Sequence, residues 1–246
     1  MFRSKFWQLS LGFIFLALGL SFWSYALVDK NLVLLPFPWS FSLQQWWWSW
    51  GDNRPWLATS YILVTLGWWV WWAMSVRSVS VNKTFKQWWW LLPGYLILVI
   101  GHNALSHDIF NYLFNAKMVL QYGVDPHVRV ALDFMYDPWT RFMHNIHTPA
   151  PYGYGWTGLS LLPVWLSGLR FLLAYFLMKS WMLIGLLGLL GSVWWGLGAS
   201  KLQAKPERFA WLALHPLLLI ETLLSGHNDV WMMWPALLAL LMARYG

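Results

Sequence analysis

Residues 6–28, FWQLSLGFIFLALGLSFWSYALV, place 23 positions without a formal charge between Lys5 and Asp29. At 1.5 Å of rise per residue, a helix of that length reaches about 34 Å, enough to cross the roughly 30 Å hydrocarbon core of a bilayer. The pattern recurs twice. Arg54 and Arg77 enclose 22 uncharged residues, and Lys86 and Asp108 enclose 21. Three such runs predict an all-α, polytopic membrane protein with spans near 9–28, 57–76 and 88–105. The first is too long for a cleaved signal peptide, and no small-residue cleavage site follows it.

The composition of all 246 residues agrees. Hydrophobic residues make up 59% and charged ones 10%, against about 25% charged in an ordinary soluble domain. With no cysteine, the chain excludes a disulfide scaffold, a thiolate-ligated zinc or iron–sulfur centre, and a cysteine nucleophile. The hydrophobic content excludes a disordered chain. The net charge is +7, but the cations punctuate long uncharged runs instead of gathering on one face, which argues against a nucleic-acid partner and for loops that orient membrane helices. By the positive-inside bias, Arg3 and Lys5, then Arg77, Lys83 and Lys86, mark cytoplasmic segments. The loops 29–55 and 106–154 are then external. Trp46–Trp48 and Trp88–Trp90 stand at span edges, as interfacial anchors do.

The apolar stretch 155–200 is broken by Arg170 and Lys179. One division gives two spans, 156–177 and 180–199, and leaves Lys201, Lys205 and Arg208 outside. The other gives a short, non-crossing segment near 156–168 and one long helix near 170–199, which keeps those cations inside and is preferred. Spans 209–225 and 230–243 follow. The expectation is a bundle of about six to seven spans in a single domain, 1–246, whose long external loop carries juxtamembrane helices. No linker or repeat divides it. The last run is short, about 21 Å; either it tucks against other helices or, the preferred reading, the chain is a piece of a longer protein.

Polar chemistry concentrates between 102 and 147, which hold five of the seven histidines (His102, His107, His127, His144, His147) and four of the nine acids (Asp108, Asp125, Asp133, Asp137). Ile109, Phe110, Leu113, Phe114, Ala116 and Leu120 describe an amphipathic helix on the membrane surface, with Ser106 at its start and Gly123 at its end. Asp108 stands where the chain leaves lipid, with Tyr112 one turn on. A carboxylate so placed suits a general base; alternatively it serves only the helix dipole, worth about 0.3–1 kcal/mol. His144 and His147 with Asp137 have spacing compatible with a divalent metal, yet nothing fixes a third ligand and an ordinary loop role is expected. The tract Pro149 to Gly155 steers the chain back towards lipid, and its tyrosines offer faces for a sugar. Glu221 sits in an apolar run, where an acid needs protein or water beside it. With His215 it lies on a helix ending at Ser225-Gly226-His227-Asn228-Asp229, three hydrogen-bonding side chains that either cap the next helix or form a site.

These residues also carry a resemblance. Ser106-His107-Asp108-Ile109-Phe110-Asn111-Tyr112, followed by Ala116, Met118, Gly123 and Pro126, resembles the first external loop of GT-C glycosyltransferases, multi-spanning enzymes that take sugars from polyprenyl-phosphate carriers. Pro151-Tyr152-Gly153-Tyr154-Gly155 looks like the tract that returns the chain to the next span. His215-Pro216-Leu217 through Glu221 to Asp229 is similar to bacterial polyprenol-phosphomannose-dependent mannosyltransferases, where Asn-Pro replaces His215-Pro216. The resemblance covers 106–229. It implies inverting transfer of a hexose such as mannose from a polyprenyl-phosphate donor to a hydroxyl of a glycan, lipid or protein acceptor. Transfer would occur at the external face of the cell (inner) membrane, with Asp108 as general base. His107, Tyr112, Tyr152, Tyr154, Glu221, His227, Asn228 and Asp229 would line the substrate site, and Lys117, Arg129 and Arg141 are candidate phosphate partners. No cofactor is implied, and no metal, because His107-Asp108 stands where the family has a doubled acid.

Two rival readings differ in class. A transporter or channel would explain Glu221 but predicts inverted repeats, which the sequence lacks. A non-catalytic scaffold or remnant predicts that altering Asp108 is harmless. The shared site itself carries a condition: Asp108 and the His227-Asn228-Asp229 block must emerge at the same end of the bundle.

Overall fold

The computed structural model describes residues 3–28, 38–78, 85–103, 105–200 and 205–246. Lys83 and Lys201, which contribute to the expected orientation, lie outside them. The elements are α1 (Arg3–Ser24), α2 (Pro38–Gly51), α3 (Arg54–Ser78), a 3-10 segment (Phe85–Leu91) running into α4 (Leu92–Ile100), α5 (Asp108–Tyr122), α6 (Tyr154–Leu166), α7 (Phe171–Ala199), α8 (Lys205–Ala213), α9 (Pro216–Leu219) with a following π turn (Ile220–Ser225), and α10 (Asp229–Tyr245). No strand occurs among the described residues.

Among the described residues, three helical segments are long and apolar enough to cross a membrane: Gln8–Leu27, Arg54–Arg77 and Phe171–Ala199. Pro206–Ala213 and Pro216–Ser225 make a fourth if they count as one span bent by 48°. The described residues thus hold three or four candidate spans, where about six to seven were expected. The 88–105 run yields only a shorter apolar helix, Trp88–Ile100, begun as 3-10 turns and stopped at Gly101. The 209–225 run is interrupted because Pro216 has no N–H to donate and holds His215 in an extended conformation (ψ 118°).

Stretch 155–200 follows the second division. The 13 residues of α6 reach about 20 Å, too short to cross. Gly168 and Leu169 then take left-handed conformations (φ 57° and 60°) and reverse the chain into α7, whose 29 residues reach about 43 Å. Ile62, Leu63, Leu66 and Val70 of α3 are each more than half exposed. Such a continuous apolar face is a liability in water and ordinary in lipid, consistent with a membrane protein.

Two cores meet on α7. One packs Phe13, Leu20, Tyr95 and Leu98 against Leu186, Phe209 and Leu223. The other wraps α5, with Phe110, Leu113 and Phe114 beside Trp139, Phe142, Trp156, Ala174 and Met178. Here the expected surface helix is corrected: every residue from Ile109 to Met118 is buried. The chain around α5 covers its polar face by neutralising it. Lys117 Nζ lies 2.5 Å from Asp137 Oδ2 and 4.2 Å over the Trp139 ring.

Candidate functional site

Asp108 is the first residue of α5, and its amide donates to Ser106 Oγ (3.1 Å). The Ser106 carbonyl accepts from Asn103 Nδ2 (2.5 Å). Asn103 is in turn gripped by α7: its amide donates to Tyr175 Oη (3.0 Å) and its Oδ1 accepts from the same hydroxyl (2.9 Å). One turn along α7, fully buried Lys179 donates from Nζ to the carbonyls of Leu98 (3.3 Å), Gly101 and Leu224 (3.0 Å). These carbonyls belong to the ends of α4 and the π turn, where helix geometry leaves acceptors without intrahelical partners. The Tyr175 and Lys179 face thus holds both the segment leading to Asp108 and the segment leading to Asn228.

That second segment is shaped by the π turn, a form frequent at functional sites. Gly226 follows at φ 79°, and the His227 amide donates back to the Glu221 carbonyl (2.9 Å). A Cβ on Gly226 would come within 3.2 Å of Ile109 Cδ1. Glycine therefore serves both the left-handed turn and the close approach to the first turn of α5.

Three separated segments then converge. The Tyr152 hydroxyl donates to Asp108 Oδ2 (2.8 Å), and the Tyr112 hydroxyl donates to Asn228 Oδ1 (3.2 Å). The Tyr112 ring meets those of Tyr152 and Trp156 edge-on, each at 5.0 Å. Burial pushes the Tyr152 phenol up to about 12, reinforced by the negative charges of Asp108 and Asp229. Burial raises Tyr112 too, with Tyr152 and Asp108 adding to it. Both phenols therefore remain donors at neutral pH. His227 Nε2 lies 3.8 Å from Glu221 Oε2, beside this cluster in sequence.

Of the sequence-predicted residues, Asp108, Tyr112, Tyr152 and Asn228 are joined directly, and Asp229 acts on Tyr152 through its charge. His107 stacks on His144 with centroids 3.6 Å apart. Others are engaged elsewhere. Tyr154 donates to Asp125 (2.9 Å), Lys117 pairs with Asp137, Arg129 pairs with Asp133 (2.7 Å), and Arg141 lies over Phe142 (5.2 Å). Asp137 also accepts from Tyr122 (2.8 Å), which removes it from the conjectured metal set. Among the described residues no three His, Cys, Asp or Glu are grouped to hold a metal ion. His215 packs among Trp69, Trp72 and Trp211. Sequence reasoning missed Asn103 and Tyr175 altogether and read Lys179 only as a break between spans. A lysine inside an apolar span was the one available signal, since such a group needs polar partners.

The profile of the alpha-(1→6)-mannopyranosyltransferase family, N-terminal domain, matches residues 12–246. The chain belongs to that family. Its class is therefore glycosyltransferase, and among glycosyltransferases mannosyltransferase, which implies a sugar donor and an acceptor. No curated protein and no solved structure matches the chain.

One consequence concerns Tyr152. Tyr152→Phe keeps the ring against Tyr112 and removes only the hydrogen bond to Asp108. A hydrogen bond to a charged group contributes about 1.5–3 kcal/mol to stability, so the thermal midpoint is expected to fall by a few degrees, and with Asp108 no longer held kcat/KM for sugar transfer is expected to fall about tenfold. Steady-state kinetics beside a melting curve checks both.

Proposed function

We propose that this mannosyltransferase-family chain moves mannose from a polyprenyl-phosphate donor to the 6-hydroxyl of a hexose acceptor, with inversion, at the external face of the membrane. Asp108 removes the proton of the acceptor hydroxyl as its oxygen attacks the anomeric carbon. The new C1–O bond forms as the C1–O(phosphate) bond breaks, the electron pair leaves with polyprenyl phosphate, and the proton rests on Asp108. A carboxylate in this role contributes about 10²- to 10⁴-fold. The observation that carries the reading is the Tyr152–Asp108 hydrogen bond, closed on its other side by Tyr112 and Asn228. It gathers a carboxylate with phenol hydroxyl and amide groups in one half-buried cluster, and that is what supports the reading.

The other residues take supporting parts. Asn228, Asp229, His227 and Glu221 face the sugar hydroxyls, and His107, stacked on His144 next to Asp108, offers imidazole donors to the leaving phosphate. The prenyl tail has an apolar cavity of about 400 Å³, bordered by Tyr25, Trp39, Leu43, Trp47 and Phe176. Its residues Ile100 and Phe176 are chain neighbours of Gly101 and Tyr175, which belong to the hydrogen-bonded support behind Asp108.

The test is transfer by membranes carrying the chain, supplied with polyprenyl-phosphate [³H]mannose and an α-mannoside. Label is expected in an α(1→6)-linked product. Transfer from a nucleotide-linked mannose in place of the prenyl donor would overturn the donor assignment, and a β-linked product would overturn inversion from a β-linked donor.

A further inference from the structure

At the other end of α5 lies a second, separate cavity. It has a volume of about 430 Å³ and sits between the C-terminal turn of α5 and the first turns of α6. Asp125 accepts from the His127 amide (2.8 Å) and the Tyr154 hydroxyl (2.9 Å). His127 Nε2 pairs with Thr157 Oγ1 (2.9 Å), and the largely exposed Tyr154 ring lies 4.1 Å from the His127 ring. Val119 and Leu161 form apolar walls. The His127 amide, ahead of the Tyr154 hydroxyl, holds the Asp125 carboxyl below the ordinary carboxylate range. It therefore presents a carboxylate with lone pairs to spare, since two oxygens offer about four acceptor sites.

The cavity floor is the second observation. Gly158 lies within α6, where glycine costs roughly 1 kcal/mol relative to alanine. A Cβ built there meets nothing within 4 Å, and the same holds at Gly123. Packing does not require the missing side chain at Gly158; what its absence does is keep the cavity open.

We propose that this cavity is a second carbohydrate site, which holds a neutral hexose unit of an extended acceptor glycan at a distance from the reacting hydroxyl. The lining selects the ligand. Asp125 is its one carboxylate and no Lys or Arg borders it, so a phosphate would meet repulsion with no compensating cation. A hydrocarbon tail would leave the spare acceptor sites of the Asp125 carboxylate without a donor. A pyranose ring satisfies both halves: its C–H face lies against the Tyr154 and His127 rings, and its hydroxyls donate to Asp125 and exchange with Thr157. A volume of several hundred Å³ is the usual size for a small-ligand site.

Along α5, Val119 and Gly123, which border the cavity, stand about 16–22 Å of helix rise beyond Asp108, too far to hold the reacting sugar. The linking element is the short tract 152–154 that leads into α6, whose first tyrosine touches Asp108 and whose last touches Asp125. The site therefore serves acceptors several units long. This inference rests on the proposed transfer to a glycan, but its test does not need the reaction.

The full chain in nanodiscs, without donor, is titrated calorimetrically with a six-unit α(1→6)-oligomannoside and with methyl α-mannoside. The six-unit ligand is expected to bind more tightly than the monosaccharide. Gly158→Leu, which fills the cavity while raising helix propensity, is expected to weaken its binding by about tenfold or more, and Tyr154→Ala to do likewise. A melting curve confirms that the Gly158→Leu protein folds. Unchanged affinity in both variants, or no mannoside binding by the wild type, overturns the proposal. If binding is lost in the variants while the wild type transfers nothing from a prenyl donor, the second site stands and the transfer reading falls. If transfer proceeds but KM for the long acceptor is indifferent to Gly158→Leu, the transfer reading stands and the second site falls.

Discussion

Asp108→Asn is expected to reduce sugar transfer about 10²- to 10⁴-fold, the contribution of a positioned general base, with the protein folded and the KM for the prenyl donor close to wild type. The substitution is nearly isosteric. The asparagine carbonyl still accepts from the Tyr152 hydroxyl, so the contact seen at 2.8 Å and the edge-on Tyr112–Tyr152 pair persist. What is lost is the capacity to take a proton from the acceptor. The competing account gives Asp108 only the task of complementing the α5 dipole. That role is worth about 0.3–1 kcal/mol of stability and leaves kcat untouched. Kinetics and thermal unfolding, measured on the same preparations, separate the two: a collapse in kcat at constant melting midpoint identifies the base, and a small fall in midpoint at constant kcat returns Asp108 to a structural part.

The sequence revealed the helical class and several polar residues that the fold brings together, because both follow from local properties. Charge spacing marks the long apolar helices, and Asp108, Tyr152 and Asn228 are polar side chains at the edges of apolar runs. It was also sufficient for the division of 155–200, since positive-inside counting prefers one long α7 and the structure contains it. Span number was less legible. Hydropathy does not register that the residues before Leu92 wind as a 3-10 helix or that Pro216 breaks the run containing Glu221. The burial of α5 was hidden for a different reason. Its amphipathic pattern fits a membrane surface as well as it fits a helix wrapped by its own loop, and the Lys117–Asp137 pair that decides between them spans 20 positions of chain. The clamp on α7 was least visible, since its acceptors are backbone carbonyls and carry no side-chain signature.

That clamp carries the second large expectation. Lys179→Met is predicted to lower stability by about 3 kcal/mol or more and to abolish transfer in the fraction that folds. Methionine fills nearly the same volume but donates nothing, and the carbonyls of Leu98, Gly101 and Leu224 would stay buried without their donor. Each such orphan costs about 1–3 kcal/mol. The loss is also positional, because the Gly101 carbonyl lies at the start of the segment leading to Asp108 and the Leu224 carbonyl on the turn leading to Asn228. Tyr175→Phe separates the two effects. It removes only the hydroxyl that grips Asn103, so it releases the Asp108 arm while Lys179 keeps the helix ends joined. Its expected signature is a several-fold fall in kcat with a modest drop in melting midpoint and an unchanged KM for the prenyl donor. A Tyr175→Phe protein with wild-type kcat would show that α7 merely stabilises the bundle, and that Asp108 is placed by Ser106 and the α5 backbone alone.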